Sequence, residues 1–281
     1  MNDPDGFDVA EAFSLLGDET RVAVLRTLAE AADEPLGFAE LRERVGVEDS
    51  GRFNYHLGKL VDRFVRKDDE GYRLTYAGTR VVGAIHEGTY AAGEPLEPVR
   101  VGADCPACGD VLELSYAEER ITVACRDCET VVTAFGFPPG ALAGRDPEEL
   151  PGVLARHVEA LFVRLRAGLC SNCSGPVPPT FTVDEDGVGV EFDCERCHEH
   201  AHTSLESLLL SDPAVIAFHH DHGVDVRTDT PWALSWIRES TAERLDGEPA
   251  RYAVSGQLGD ERLRVVVDES LTVVETERST A

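Results

Sequence analysis

Apolar residues near the start of the chain recur at helical spacing. The stretch DVAEAFSLLGDETRVAVLRTLAEA, residues 8–31, is interrupted at Gly17, after which Asp18 can cap a second helix. The run PLGFAELRERVGV repeats the apolar pattern, and Gly46 can end a helix there. Two short helices and a third one are therefore predicted.

A fourth helix is predicted from DSGRFNYHLGKL, where Asp49 or Ser50 can act as the N-cap. One face of this helix is apolar, with residues recurring at i, i+4, i+7 and i+11: Phe53, Leu57, Leu60 and Phe64. Arg52, Lys59 and Arg63 point roughly 110° away from the centre of that face. These bases are therefore expected to be exposed.

The next segment combines a hairpin pattern with a return to helical spacing. FVRKDDEGYRLTYAG contains two short strand-like runs around DDEG, and TYAGTRVVGAIHEGTYAA is helical in pattern. Three helices ending in a basic one, then a hairpin and a further helix, is the element order of a winged helix-turn-helix. The stretch GEPLEPVRVGAD, with two prolines and two glycines, is typical of a linker.

All the cysteines occur as four CxxC pairs: Cys105/Cys108, Cys125/Cys128, Cys170/Cys173 and Cys194/Cys197. The gaps inside the two halves are 16 and 20 residues, the spacing expected of four-cysteine zinc sites. Both inserts have a strand-turn-strand pattern. Two zinc ribbons, each holding one structural zinc ion, are predicted from sequential pairing; pairing across the halves stays open. Disulfides are disfavoured because we expect a cytosolic chain, and thioredoxin-like redox pairs because no βαβ pattern surrounds any CxxC motif.

Helical segments follow both ribbons, and the alternation in RLRVVV and LTVVET predicts two or three antiparallel strands near the C-terminus. The predicted fold is α+β and multidomain. Its parts are a winged helix-turn-helix (1–92), a linker (93–101), a first zinc ribbon plus helix (102–168), a second zinc ribbon plus helix (169–224) and a C-terminal α+β segment with a small antiparallel sheet (225–281).

Charge is distributed unevenly. The chain has 53 acidic residues against 26 Lys and Arg, a net charge of -27 that indicates a solvated surface adapted to high salt. Residues 51–67 nevertheless carry five bases and one acid, a local charge of +4. No apolar run approaches the ~18 residues that cross a bilayer, and the first residues lack signal-peptide features. We expect a cytoplasmic protein without membrane partners.

The runs LGDETRVAVLRTLAEA, FNYHLGKLVDRFV and GYRLTYAG resemble the DNA-binding domain of ArsR-type winged-helix repressors, especially archaeal members, over roughly residues 7–90. The resemblance implies that double-stranded DNA is the partner. It also implies candidate base contacts at Ser50, Arg52, Asn54 and Tyr55, and phosphate contacts at Lys59, Arg63, Arg66 and Lys67. His56 is expected to pack between helices. The cysteine pair that many family members carry in the third helix for arsenite or cadmium is absent here, so arsenic sensing there is not expected.

Six histidines lie close to the second ribbon: His198, His200, His202, His219, His220 and His222. A second metal site is one interpretation; solvent-facing histidines are the one we favour. The sequence holds no nucleophile-base arrangement of a known type, so an enzyme is not expected.

The function predicted from the sequence is a dimeric, sequence-specific, ArsR-like transcriptional regulator from a salt-adapted archaeon. Two alternatives stay open. One is a factor associated with the transcription machinery, since winged helix followed by zinc ribbon also resembles archaeal transcription factor E. The other is a regulator whose zinc or thiols sense metal or redox state.

Overall fold

The structure, a computed structural model, describes residues 9–31, 34–91, 93–185, 187–227 and 230–280. Residues 1–8, the start of the first predicted domain, lie outside these ranges. None of the described helices is long and apolar enough to cross a membrane.

The chain is a mixed α and β protein with two compact units. One unit extends to Gly93 and also includes Pro138–Ala141, and the other contains Glu94–Phe137 and Leu142–Ala281. Apart from Pro138–Ala141, the segments predicted as two ribbons and a C-terminal part thus belong to one unit.

Helices dominate the described part of the first unit. Its elements are α1 (Val9–Leu16), α2 (Glu19–Glu30), α3 (Phe38–Val45), α4 (Ser50–Leu60), β1 (Val65–Lys67), β2 (Tyr72–Leu74) and α5 (Tyr76–Glu87). Asp18 caps α2 by accepting a hydrogen bond from the N–H of Arg21, and Gly46 ends α3 at a φ of 79°. The predicted helices and the hairpin are therefore present.

The core of this unit is built from the apolar faces of its helices. The predicted inner face of α4 is buried together with residues of α2 and α3: Phe53, Leu57, Leu60, Phe64, Leu25 and Leu41. Burial of one face of α4 orients the opposite face toward solvent, as the periodicity predicts.

The second unit begins with a four-stranded antiparallel sheet in chain order: β3 (Leu96–Asp104), β4 (Val111–Ala117), β5 (Arg120–Cys125) and β6 (Val131–Gly136). The linker predicted at residues 93–101 is wrong over most of its length, because β3 occupies it. Pro98 lies where the pairing of β3 with β4 shifts register, between Leu96 and Val99. Proline is tolerated at such irregular edge positions, which is why the proline signal was misleading.

Two short 3-10 helices, Pro139–Ala141 in the first unit and Pro147–Glu149 in the second, precede α6 (Leu150–Arg166). A three-stranded sheet follows, formed by β7 (Pro179–Asp184), β8 (Gly187–Asp193) and β9 (His200–Ser204).

The helical segment predicted after the second ribbon is split into α7 (Leu205–Leu209) and α8 (Pro213–Asp221). Asp212 causes the break, because its carboxylate accepts a hydrogen bond from the N–H of Ala214 and so caps a new helix. A 3-10 turn at Pro231–Ala233 and α9 (Ser235–Glu239) complete the helices.

The chain ends in an up-and-down sheet of four strands: β10 (Thr241–Leu245), β11 (Arg251–Leu258), β12 (Glu261–Asp268) and β13 (Val273–Thr280). Two or three strands were predicted. The edge strand β10 is largely exposed and lacks the apolar alternation that the prediction relied on, whereas the predicted run LTVVET overlaps β13. The buried strands β11 and β12 share one hydrophobic core with the second ribbon. This core includes Val190, Phe192 and Trp236.

Candidate metal centres and nucleic-acid interface

The eight cysteines, all within the described ranges, form two groups of four: Cys105/Cys108/Cys125/Cys128 and Cys170/Cys173/Cys194/Cys197. In each group the sulfur atoms lie within 4.8 Å of one another. All eight are free thiols. The sequential pairing of CxxC motifs is therefore confirmed, and each group can hold one metal ion.

Every CxxC turn has the same backbone form. The residue after the second cysteine has a positive φ in all four turns: Gly109 (78°), Glu129 (60°), Ser174 (57°) and His198 (60°). Backbone N–H groups in these turns donate to sulfur, as from Ala107 to Cys105 and from Gly175 to Cys173, both at 3.4 Å. Such donors stabilise the thiolate charge that a metal ion needs. His198 therefore belongs to a CxxC turn.

The two clusters differ in exposure. Cys108 and Cys128 of the first cluster are exposed, whereas no cysteine of the second cluster is. Cys170 and Cys194 belong to the main hydrophobic core. The second cluster is thus part of the core, and the first lies nearer the surface.

Neighbouring groups shift the pKa values of two thiols of the first cluster in opposite directions. The hydroxyl of Thr130, 3.1 Å from the sulfur of Cys128, lowers the pKa of Cys128 to about 6. A backbone N–H at Asp110 lowers the pKa of Cys108, but hydrogen bonds with Cys128 and Cys125 outweigh it and raise that pKa to about 12.

The second cluster shows the same pattern of opposite shifts. The backbone N–H of Cys197 is the main reason why the pKa of Cys194 is lowered to about 6. For Cys197, hydrogen bonds with the neighbouring thiols and burial outweigh the N–H of Glu199, and its pKa rises to about 11. In each cluster, one thiol is therefore ready to bind a cation as a thiolate.

Helix α4 presents a polar outer face. The exposed positions include all the predicted base contacts and one predicted phosphate contact: Ser50, Arg52, Asn54, Tyr55 and Lys59. Asp49 caps the helix by accepting a hydrogen bond from the N–H of Arg52 at 2.9 Å, and this bond lowers the pKa of Asp49. The Nζ of Lys59 lies 5.8 Å from the centre of the Tyr55 ring. The cap and the buried face hold this surface in place.

The other three predicted phosphate contacts differ in their exposure and in their pairing within the protein. Arg66 and Lys67 are exposed on β1. Arg63 lies beyond the end of α4, is half-buried, and pairs with Glu11 of α1 at 2.6 Å. Arg63 is thus engaged within the protein in this structure, which the helical projection did not predict.

His56 is buried, with 8% of its surface exposed, and its Nδ1 lies 3.2 Å from the carboxylate of Asp18. It therefore packs α4 against the cap of α2. Burial acts to raise the pKa of Asp18, but the hydrogen bond from the backbone N–H of Arg21 and the nearby His56 outweigh it, so this pKa lies below its usual value.

One histidine expected to face solvent is instead enclosed. His219 on α8 is 1% exposed, and burial lowers the pKa of its ring. Sequence reasoning missed it because it belongs to the run FHHDHG, which reads as a polar helix end. In the sequence, nothing distinguishes His219 from its polar neighbours, although it lies beside Phe218 on the buried side of α8.

Comparison with known families covers most of the chain. Residues 102–273 match a family described as Domain of unknown function (DUF7351). The chain belongs to the DUF7351 family. The DUF7351 region includes both cysteine clusters, helices α6 to α9 and strands β10 to β12. Residues 9–85 match a second family, described as Domain of unknown function (DUF7347), which spans α1 to α4, the hairpin and most of α5. No curated protein and no solved structure matches the chain.

Proposed function

We propose that this protein is a sequence-specific DNA-binding transcriptional regulator with two structural zinc ions. The observation that carries the proposal is the outer face of α4. It combines Arg52, Asn54, Tyr55 and Lys59 on a capped helix, within a stretch of charge +4 in a chain of charge -27. A locally basic helix in so acidic a chain is suited to a negatively charged partner.

The side chains on this face match the edges of bases. Asparagine can bond adenine at two atoms and arginine can bond guanine at two atoms, each pair discriminating by about 1–3 kcal/mol. Lys59, Arg66 and Lys67 are exposed cations that suit phosphate contacts, which position a protein without specifying sequence.

The order of elements supports a winged helix-turn-helix of the ArsR-like type. In this proposal α3 and α4 form the helix-turn-helix, α4 enters the major groove, and the hairpin β1–β2 is the wing. The hairpin turn is closed by Asp68, whose carboxylate accepts hydrogen bonds from the N–H groups of Glu70 and Gly71. A short, well-closed turn allows Arg66 and Lys67 to lie beside a DNA backbone.

A homodimer is part of the proposal. Val9 and Phe13 lie one turn apart on α1 and are 55% and 62% exposed. Their apolar area favours a second copy as the occupant of this face. In a salt-adapted cell, phosphate contacts alone bind weakly, since affinity decreases with each counterion released. Two half-sites read by a symmetric dimer would compensate for that loss.

Zinc is the metal we propose for both clusters. A tetrahedron with Zn–S distances of about 2.3 Å places sulfur atoms about 3.8 Å apart. The Cys105–Cys128 and Cys108–Cys125 sulfur distances are 3.6 and 3.4 Å, close to that value. Four thiolates close the coordination sphere, which favours a structural role over catalysis.

The test is selection of bound fragments from genomic DNA by the zinc-loaded full chain at high potassium, repeated with Arg52→Ala plus Asn54→Ala. We expect a shared inverted repeat that the double variant no longer selects. Arg26→Ala, an exposed arginine on α2, is the charge control and should leave the motif unchanged. No enriched motif, or one that survives the double variant, would reject the proposal and favour a factor that binds the transcription machinery.

A second candidate function is redox or metal sensing at the first cluster. The exposure of Cys108 and Cys128 favours it, because a reagent can reach those sulfur atoms without unfolding the protein. If sensing occurs, oxidant at a level that leaves the helical signal intact should change DNA affinity. Affinity that changes only on unfolding would leave zinc with a structural role.

A further inference from the structure

A cavity of about 500 Å³ lies in the second unit and opens to solvent. Apolar side chains from three parts of the chain line it, among them Val224, Leu234 and Leu258. Its volume is within the range of sites that hold small organic molecules. The cavity is separate from the cysteine clusters, none of whose residues line it.

His219 supplies the first polar group of this cavity. Its Nδ1 lies 2.8 Å from the backbone oxygen of Val215, and because a carbonyl can only accept, Nδ1 carries the proton. Burial lowers the pKa of the ring, so the neutral form persists near pH 7. Nε2 is then a hydrogen-bond acceptor, and it is buried without a partner. An enclosed acceptor without a partner is a site for a ligand's hydroxyl or N–H group.

Arg238 supplies the second polar group. Among the lining residues that the structure describes, it is the one with a charge at neutral pH. Its guanidinium forms an ion pair with the exposed Glu239 at 3.6 Å, a separation longer than a hydrogen bond. The donors of the guanidinium thus remain available, and their planar fork fits a carboxylate.

We propose that this cavity binds a small carboxylic acid whose apolar body carries a hydroxyl or N–H group. The carboxylate pairs with Arg238, the hydroxyl or N–H donates to Nε2 of His219, and the body lies against Val224, Leu234 and Leu258. This assignment goes beyond DNA binding and does not rest on it, since every group involved is in the second unit.

Salt conditions matter for the test. A chain of charge -27 repels anions at a distance, but in 1 M salt the screening length is only about 3 Å. Contacts inside the cavity are screened less than this long-range repulsion. Titrations are therefore best performed in concentrated potassium chloride.

The experiment is calorimetric titration of the full chain with 3-hydroxybenzoate and 4-hydroxybenzoate, compared with benzoate and phenol. We expect one of the hydroxybenzoates to bind one site per chain with a Kd of about 1 mM or tighter. Benzoate, which lacks the hydroxyl, and phenol, which lacks the carboxylate, should each bind at least about 10-fold more weakly. Absence of binding by both hydroxybenzoates, or equal binding of all four compounds, would overturn the proposal.

Variants assign the two contacts. Arg238→Gln should remove the preference for hydroxybenzoate over phenol, while Arg244→Gln, an exposed arginine on β10, should not. His219→Asn keeps a donor near Nδ1 for the Val215 oxygen but lacks a group at Nε2, so it should remove the preference over benzoate. His219→Gln places an amide near Nε2 and should restore part of it. If both histidine variants bind hydroxybenzoate as the wild type does, His219 has no role in the site and the proposal is wrong.

Discussion

The guanidinium of Arg166, in the last turn of α6, lies 3.0 Å from the carboxylate of Asp212, and only 18% and 8% of these two side chains are exposed. The other oxygen of Asp212 caps α8. One carboxylate thus joins α6 to the start of α8, and breaking a buried pair leaves an unpaired charge.

We therefore expect Asp212→Asn to destabilise the second unit by about 3 kcal/mol, because the amide can cap α8 but cannot neutralise Arg166. Asp212→Ala should cost about 1 kcal/mol more, since it also removes the cap. Chemical unfolding followed by circular dichroism measures both. If Asp212→Asn is as stable as the wild type, the ion pair between Arg166 and Asp212 makes no net contribution to the free energy of unfolding.

The two metal centres should be separable. We expect two zinc ions per chain by elemental analysis, and one after replacement of Cys105 and Cys108 by serine. Because Cys108 and Cys128 are exposed, a chelator should remove the first ion faster than the second. The same serine changes at Cys170 and Cys173 should also unfold the second unit, since Cys170 is part of its core. A single-phase loss of both ions would contradict the difference in exposure.

His56 and Arg52 differ in exposure on α4, the first buried and the second exposed, and should respond oppositely. His56→Ala removes a buried ring beside Asp18 and should reduce stability by about 1–2 kcal/mol while the preferred DNA sequence is kept. Arg52→Ala should leave the melting temperature nearly unchanged and reduce discrimination at one base pair by roughly 10–100-fold. Melting curves and binding to single-base operator variants separate the two effects. A change of preferred sequence in His56→Ala would show that our assignment of His56 as a packing residue is wrong.

Gly256 on β11 allows Trp236 to lie directly on the sheet. A Cβ added there would be 2.6 Å from Cε3 of Trp236, a distance that forces the ring or the strand to move. Gly256→Ala should therefore destabilise the second unit by about 1–3 kcal/mol.

The matched change is Gly83→Ala at an exposed position in α5, where an added Cβ would meet nothing within 4 Å. It should stabilise the first unit by up to about 1 kcal/mol, because alanine favours helix. Thermal unfolding monitored by Trp232 and Trp236 fluorescence reports the second unit, and helical circular dichroism reports the first. Equal effects of the two substitutions would contradict the packing described.

Glu206 should make stability depend on pH. Burial raises the pKa of this carboxyl, and its Oε2 has no hydrogen-bond partner. A carboxyl with a raised pKa favours the folded state below its ordinary pKa near 4.5 and costs stability as the pH rises through the folded value.

Glu206→Gln imitates the protonated carboxyl, so its melting temperature should exceed that of the wild type at pH 8. The difference should shrink as the pH is lowered toward 5. Glu243→Gln, at an exposed position on β10, should show no such trend. A gain that is constant over the whole pH range would indicate packing and not ionisation as the cause.

The sequence by itself determined the features that depend on neighbouring residues. Helices α1 to α5 follow from apolar spacing and from caps such as Asp18 and Asp49, whose hydrogen bonds span three residues. Each CxxC turn is equally local. The partner of each turn was predicted because the short strand-turn-strand inserts bring the two turns of one cluster together.

Only the tertiary structure decided what depends on distant segments. The pairing of Arg63 with Glu11, 52 positions away, and the enclosure of His219 arise from packing between elements that no local pattern records. The exposed strand β10 was missed for the same reason, since it pairs with β11 without an apolar alternation of its own. The cavity beside His219 and Arg238 likewise exists only once parts of the chain from Gly102 to Leu258 come together.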